Sequence, residues 1–120
     1  MVTKPSKKKD QELFALIEQK IKQRKYIFVK HAKERQKQRN ISDLDVLNIL
    51  EGKPGYARKR NKSKDLYESN YENDKPQDWK YCIEGKDIDE RKIRIILTFN
   101  TDRMPIITVI NLSEEDNHEN

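Results

Sequence analysis

The stretch KIRIILTFNTDRMPIITVINL, residues 92–112, decides the fold class that the sequence predicts. In its first half every second residue is apolar, the period of a strand with one face in a core. These residues are Ile93, Ile95, Leu97 and Phe99. Residues 100–103 predict a turn, and the second half predicts another strand. The spacing there places Met104, Ile106, Ile110 and Leu112 on one face. The stretch therefore predicts two antiparallel strands joined by a short turn.

Further strands are predicted upstream of this pair. Apolar and polar residues alternate again in WKYCI, residues 79–83, and the loop EGKDIDERK, residues 84–92, joins this segment to the next strand. Residues 53–78 have little apolar patterning, so we expect one strand near residues 56–60 and a long loop after it. The C-terminal part of the chain therefore predicts a meander of antiparallel strands.

Helices are predicted before the sheet. From residue 10 to about residue 24, apolar residues recur at the spacing of a helix with one buried side. A short strand at residues 26–29 and a polar helix from residue 30 to about residue 40 follow. Ser42 has the character of an N-cap and Gly52 that of a C-cap, so we expect a third helix between them.

This order of elements predicts an α+β domain with its N-terminal helices packed on one face of a roughly four-stranded antiparallel sheet. The domain is expected to cover residues 10–112. Residues 1–9 are rich in lysine and residues 113–120 are acidic. Since neither end has a periodic pattern of apolar residues to bury, both are expected to be disordered.

Charge is distributed unevenly along the chain. Residues 1–64 contain 19 Lys and Arg against 7 Asp and Glu, net +12, and residues 65–120 contain 7 against 14, net −7, which together give +5. A basic half suits a polyanionic partner, because each neutralised phosphate releases counterions. A lysine-rich proteome would produce the same composition, so the charge alone does not decide between the two explanations.

Several classes of protein are not expected. No apolar run approaches the roughly 20 residues of a membrane helix, and the basic N-terminus lacks the apolar region of a signal peptide. The single cysteine, Cys82, excludes an internal disulfide and suits a reducing cytoplasm. The sequence has no glycine-rich phosphate loop and only one histidine outside the tail. We therefore expect neither a cofactor nor a metal site.

The polar helix near residue 30 carries the strongest candidate for chemistry. Residues 30–39 contain five Lys or Arg and one histidine against one acid, Glu34. His31, Arg35 and Arg39 are four residues apart and so form one ridge on the helix. Two guanidiniums can hold a phosphate, and an imidazole can transfer a proton near neutral pH. A solvated helix face with a structural histidine has the same composition, and both interpretations remain open on these grounds.

A second basic segment follows the third helix. Residues 53–64 contain six Lys or Arg and no acid, with Tyr56 among them. Positive charge can follow an RNA backbone while an aromatic ring stacks on a base. A solvated loop is the alternative. The candidate RNA-binding residues are Lys30, Tyr56, Arg58, Lys59 and Arg60.

The run VKHAKERQKQRNISDLDVLNILEG, residues 29–52, resembles the opening of a family of small bacterial proteins, domain of unknown function 4258. Members have the pattern K/R-H-A-x-x-R-x-x-x-R-x-I after a short strand. Lys30, His31, Ala32, Arg35, Arg39 and Ile41 match it in order. The later strands look similar as well, so the resemblance covers about residues 26–111 and leaves out the helix predicted at residues 10–24.

That family looks like a relative of the RelE-type toxins and of the wider barnase–EndoU–colicin–RelE group. The resemblance implies a metal-independent endoribonuclease. In such an enzyme His31 would be the general acid or base, and Arg35 and Arg39 would hold the phosphate. Arg58 or Arg60 would reach in from the second basic segment, and Tyr81 would donate a hydrogen bond or stack. The implied partners are RNA, in some relatives ribosome-bound messenger, and an acidic antitoxin protein.

A non-catalytic binding module is the alternative function. It would engage RNA or an acidic protein through the basic half of the chain. Its binding would weaken steeply with salt, and RNA would remain intact.

Overall fold

The computed structural model describes residues 5–68 and 77–113 of the protein. The elements are α1 (Asp10–Lys22), β1 (Tyr26–Phe28), α2 (Lys30–Arg39), α3 (Asp43–Glu51), β2 (Lys59–Arg60), a short 3-10 helix (Lys62–Lys64), β3 (Tyr81–Lys86), β4 (Lys92–Leu97) and β5 (Met104–Asn111). Three helices thus precede most of the sheet, and the α+β class predicted from the sequence is confirmed.

The described strands form a five-stranded sheet in the order β1-β5-β4-β3-β2. β1 runs parallel to β5, and the other neighbouring pairs are antiparallel. The prediction of a roughly four-stranded antiparallel sheet is therefore corrected to a five-stranded mixed sheet. Alternation of apolar residues predicts where strands lie but not which strand each one joins. Parallel neighbours need a long crossover connection, and here that connection contains both remaining helices and three strands.

The hydrophobic core lies between the helices and one face of the sheet. One cluster of buried residues includes members of all three helices and the alternate residues of β3, β4 and β5. The helical members with no exposed surface are Leu13, Ile17, Ala32, Val46, Ile49 and Leu50. Because α2 packs on β5 while α3 packs on β3, α2 lies on the β1–β5 side of the sheet, away from β2.

A β-bulge changes which residues of β5 face the core. Ile96 pairs with Thr108 but Leu97 pairs with Ile106, so Ile107 is an extra residue opposite β4. After the bulge Val109 and Asn111 are buried. The expectation that Ile110 and Leu112 would share the face of Met104 is thus wrong, because one inserted residue reverses the side of the strand that follows it.

The ends of α3 are fixed as the sequence predicts. Ser42 Oγ accepts a hydrogen bond from the Asp45 backbone N–H at 3.0 Å, and the Asp45 carboxylate accepts one from the Ser42 backbone N–H at 3.3 Å. This reciprocal pair is a capping box. Gly52 ends the helix in the left-handed region at φ +68.

The structure describes only part of the two terminal segments. Residues 1–4 and 114–120, where we predict disorder, lie outside the described residues, as does the segment 69–76. Pro5 to Lys8, also predicted to be disordered, make hydrogen bonds and ion pairs with the start of β3 and with β2. Within the described part of the chain no helix has the length and apolarity needed to cross a bilayer.

Candidate nucleic-acid interface

The ridge predicted on α2 is present in the structure. Ala32 and Gln36 are the buried residues of this helix. His31 is exposed, and Arg35 and Arg39 are half-buried on the same side. At a rise of about 1.5 Å per residue the ridge is roughly 12 Å long. The structure thus presents an imidazole at one end of a helix surface that also carries two guanidiniums.

Contacts with α3 hold the helix in place. Gln36 Nε2 donates to Asp43 Oδ1 at 2.7 Å, and Lys33 Nζ lies 2.6 Å from Asp43 Oδ2. Lys33 also lies 5.1 Å from the centre of the Phe28 ring in β1. Lys33 is therefore paired within the domain. Lys30, the predicted RNA-binding residue next to His31, is exposed at the first position of the helix.

The C-terminal end of the ridge is joined to the loop between β3 and β4. Arg91 Nη1 donates to the Arg39 carbonyl at 2.9 Å, and Arg91 Nη2 donates to the Asn40 carbonyl at 3.2 Å. Arg91 Nε is held in turn by Asp87 Oδ2 at 2.6 Å. These bonds satisfy carbonyls at the negative end of the helix dipole. Sequence reasoning did not identify Arg91, because the contact spans about half the chain.

The arginines and the tyrosine of the second basic segment contact the fold instead of the ridge. Arg58 Nη1 donates to the Leu50 carbonyl at 2.8 Å and lies 3.6 Å from Glu18 Oε2. The Tyr56 hydroxyl accepts a hydrogen bond from Asn48 at 3.1 Å. Three strand spacings of about 4.8 Å, roughly 14 Å, separate β2 from β5. The structure therefore does not bring Arg58 or Tyr56 to His31.

Arg60 and Tyr81 lie next to each other but are buried. The Arg60 side chain is 1% exposed and contacts the Tyr81 ring. The Tyr81 hydroxyl donates to Asp78 Oδ1 at 2.6 Å and accepts from the Lys8 backbone N–H at 3.2 Å. Burial is the main cause that raises the pKa of Tyr81, and the bond to Asp78 adds to it. In this arrangement neither side chain is accessible to RNA at the ridge.

A second basic surface lies near the β3–β4 loop, and Lys59 is the one residue of it that was predicted from the sequence to bind RNA. A cavity of about 170 Å³ is lined by Lys59, Lys86 and Lys92 together with Ala57, Glu84, Gly85 and Leu112. We call it the lysine cavity. Lys86 pairs directly with Lys92 across the strands, an arrangement of like charges that destabilises a sheet. The alternation in KIRII signalled a polar face, but the register that brings Lys86 opposite Lys92 is not visible in the sequence.

The carboxylate in the lysine cavity is already paired. Glu84 Oε2 accepts from Arg94 Nε at 2.9 Å and from Asn61 Nδ2 at 3.1 Å. Burial of Glu84 raises its pKa, but these two hydrogen bonds together with the positive charges of Arg94 and Lys59 outweigh that effect, and the net pKa is lowered. Within the described residues none of the cavity's lysines forms an ion pair with a carboxylate. The lysine cavity therefore has an excess of positive charge.

Comparison with known proteins gives one match. A family model described as a domain of unknown function (DUF4258) matches residues 28–111. The chain belongs to this family. The family membership predicted from the sequence is thereby confirmed, whereas its relation to the RelE-type toxins remains a prediction. No curated protein and no solved structure matches the chain.

The DUF4258 region contains the ridge of α2 and the three lysines of the lysine cavity, while α1 and the segment before it precede the match. Among the described residues no group of three or more His, Cys, Asp or Glu could hold a metal ion. Burial raises the pKa of the Cys82 thiol to about 11, so this cysteine is protonated at neutral pH and is a poor nucleophile. The groups in the DUF4258 region best suited to chemistry on an anion are the exposed imidazole and the cations near it.

Proposed function

We propose that the protein is a metal-independent endoribonuclease that acts through the ridge of α2. The observation that carries this proposal is the exposed His31 on the same helix side as Arg35 and Arg39. An imidazole can gain or lose a proton near neutral pH, and arginine meets phosphate oxygens with two parallel hydrogen bonds. The likeness that we predict between the family of the KHA-x-x-R-x-x-x-R-x-I run and the RelE-type toxins would support the same function.

In this mechanism the 2′-OH of a ribose attacks the adjacent phosphorus, and the bond from phosphorus to the 5′ oxygen of the next nucleotide breaks. The 2′-OH loses a proton and the 5′ oxygen gains one, so the products carry a 2′,3′-cyclic phosphate and a 5′-OH. His31 makes one of these transfers, and water makes the other. Arg35 and Arg39 stabilise the charge that develops on the phosphate oxygens.

The test is cleavage of 5′-labelled RNA by the purified protein in excess EDTA. The substrates are free single-stranded RNA and messenger on translating ribosomes, since some RelE-type enzymes require the ribosome. We expect cleavage of at least one substrate and products with 2′,3′-cyclic phosphate ends. Intact RNA in both reactions would contradict the proposal, as would cleavage that appears only when a divalent metal is added.

The lysine cavity favours a second candidate function, RNA binding without cleavage. Lys59, Lys86 and Lys92 line one cavity with a single carboxylate, Glu84. None of the three lysines forms an ion pair at contact distance in the described part of the chain. A phosphate between Lys86 and Lys92 would relieve the repulsion of the cross-strand pair. An acidic protein segment would also be complementary to the positive charge of the lysine cavity, so an acidic antitoxin is the corresponding protein partner.

We expect the Lys86→Ala/Lys92→Ala variant to bind single-stranded RNA more weakly than the wild type. The slope of log K against log salt should fall by about 0.7 for each lysine that contacts a phosphate. Fluorescence anisotropy of labelled RNA at several salt concentrations measures both quantities. Because the substitutions remove a like-charge pair, they should not unfold the sheet.

The matched control is Lys22→Ala/Lys25→Ala, which removes the same charge. The backbone carbonyl of Lys25 accepts a hydrogen bond from Met104 at the start of β5, whereas Leu112 of the lysine cavity follows the end of that strand. At about 3.3 Å per residue the two positions are roughly 26 Å apart. An equal loss of affinity in both variants would show that net charge, and not the lysine cavity, governs binding.

A further inference from the structure

The segment Pro5–Lys8, which we call the strap, is bound by three side chains of the domain through its backbone. Trp79 Nε1 donates to the Pro5 carbonyl at 2.8 Å, and Arg60 Nη1 donates to the Lys8 carbonyl at 2.6 Å. The Tyr81 hydroxyl accepts from the Lys8 backbone N–H at 3.2 Å. These contacts recognise the backbone of an extended peptide regardless of its side chains.

The lysine side chains of the strap meet two buried carboxylates. Lys8 Nζ lies 2.5 Å from Asp78 Oδ2, and Lys7 Nζ lies 3.7 Å from Asp65 Oδ2. The Asp65 and Asp78 side chains are 0% and 6% exposed. The Lys7 ammonium also lies 4.8 Å from the centre of the Trp79 ring, a cation–π distance. These contacts select a peptide with two consecutive lysines.

The residues that bind the strap form a groove that the rest of the domain holds in place. The groove consists of Arg60, Asp65, Asp78, Trp79 and Tyr81. Arg60 Nη2 lies 2.9 Å from Asp65 Oδ2, and Asp65 Oδ1 accepts from the Cys82 backbone N–H at 2.9 Å. Since these bonds do not involve the strap, the groove keeps its shape when the strap leaves. The groove lies within the DUF4258 region and the strap lies outside it.

The contacts of the strap are few and partly exposed to water. Lys7 and Lys8 keep 34% and 22% of their side-chain surface exposed, so salt screens their ion pairs. The strap is also short and contributes no residue to the hydrophobic core. Segments of this kind open at a lower free energy than the whole domain unfolds.

We propose that the groove is a binding site for an extended peptide with consecutive lysines, and that the strap occupies it as a reversible ligand from the same chain. A lysine-containing segment of another protein binds when the strap leaves. The apparent affinity for that segment equals the affinity of the open groove multiplied by the fraction of molecules in which the groove is open. The proposal does not depend on ribonuclease activity.

The single tryptophan of the chain reports on the groove. In the full-length Lys7→Ala/Lys8→Ala variant the strap loses its ion pairs, and we expect Trp79 emission to shift to longer wavelengths. A labelled peptide with the sequence of residues 3–9, TKPSKKK, should bind this variant about tenfold more tightly than the wild type, if the wild-type groove is open about a tenth of the time. Adding the peptide should also restore the original emission.

Two controls match these measurements. Lys9→Ala removes a neighbouring lysine that is exposed and whose side chain makes no hydrogen bond, ion pair or ring contact with the described residues, so this variant should behave as the wild type. A peptide with alanine in place of the lysines at positions 7 and 8 should bind neither protein. Equal peptide affinity of the wild type and the opened variant would overturn the proposal, and so would binding that leaves Trp79 emission unchanged.

Discussion

The His31→Ala variant is expected to cleave RNA more slowly than the wild-type protein by a factor of about 10² or more, the usual contribution of a general acid or base. RNA affinity should change little, because the lysines and the arginines of α2 remain. The free energy of unfolding should also stay within about 0.5 kcal/mol, since His31 is exposed. Single-turnover cleavage rates with protein in excess separate the chemical step from binding.

His118→Ala is the matched control for this variant, because it removes the other histidine of the chain. It should cleave at the wild-type rate. Arg35→Lys and Arg39→Lys keep the positive charge but lose the planar fork of the guanidinium, so each should lower the rate while affinity is largely retained. If His31→Ala cleaves as fast as the wild type, His31 is not the proton-transfer group, and the ridge of α2 contributes at most RNA binding to the cleavage.

The parts of the fold that depend on local pattern could be predicted from the sequence. Ser42 and Gly52 bound α3 because capping chemistry is local, and β4 follows from strict alternation. The parallel pairing of β1 with β5 and the bulge at Ile107 were not predictable in this way. Both depend on which distant strand lies alongside, and a run of apolar residues does not encode that choice.

For the candidate site too, only the features that depend on local pattern could be predicted from the sequence. The ridge on α2 follows from the helical period alone, so its three residues were found together. Arg58 and Arg60 were assigned to RNA from composition, but their partners include Glu18 and Asp10, which lie some 40 to 50 residues away in the chain. The basic character of a segment cannot reveal that its charges are already paired. Lys86 and Lys92 were not predicted as partners of Lys59, because the three lysines belong to three different strands and only the pairing of those strands brings them together.

Replacing Arg60 by methionine is expected to lower the free energy of unfolding by about 3–5 kcal/mol, the cost of removing one partner of a buried ion pair. Arg60 Nη2 lies 2.9 Å from Asp65 Oδ2, and both side chains have 1% or less of their surface exposed. Methionine fills a similar volume but leaves Lys7, at 3.7 Å, as the one cation within ion-pair distance of the Asp65 carboxylate in the described part of the chain. Urea denaturation followed by circular dichroism measures the loss.

A second substitution tests whether the uncompensated charge causes this loss. In Arg60→Met/Asp65→Asn the residue at position 65 is neutral but can still accept the hydrogen bond from the Cys82 backbone N–H. We expect the double variant to be more stable than Arg60→Met alone, by about 1 kcal/mol or more. The control is Lys59→Met, which replaces an exposed neighbour of Arg60 in β2 and should change stability by less than about 0.5 kcal/mol.

If Asp65→Asn destabilises Arg60→Met as much as it destabilises the wild type, the two residues are not coupled. The loss would then come from the other contacts of Arg60, with Asp10 and the Lys8 carbonyl.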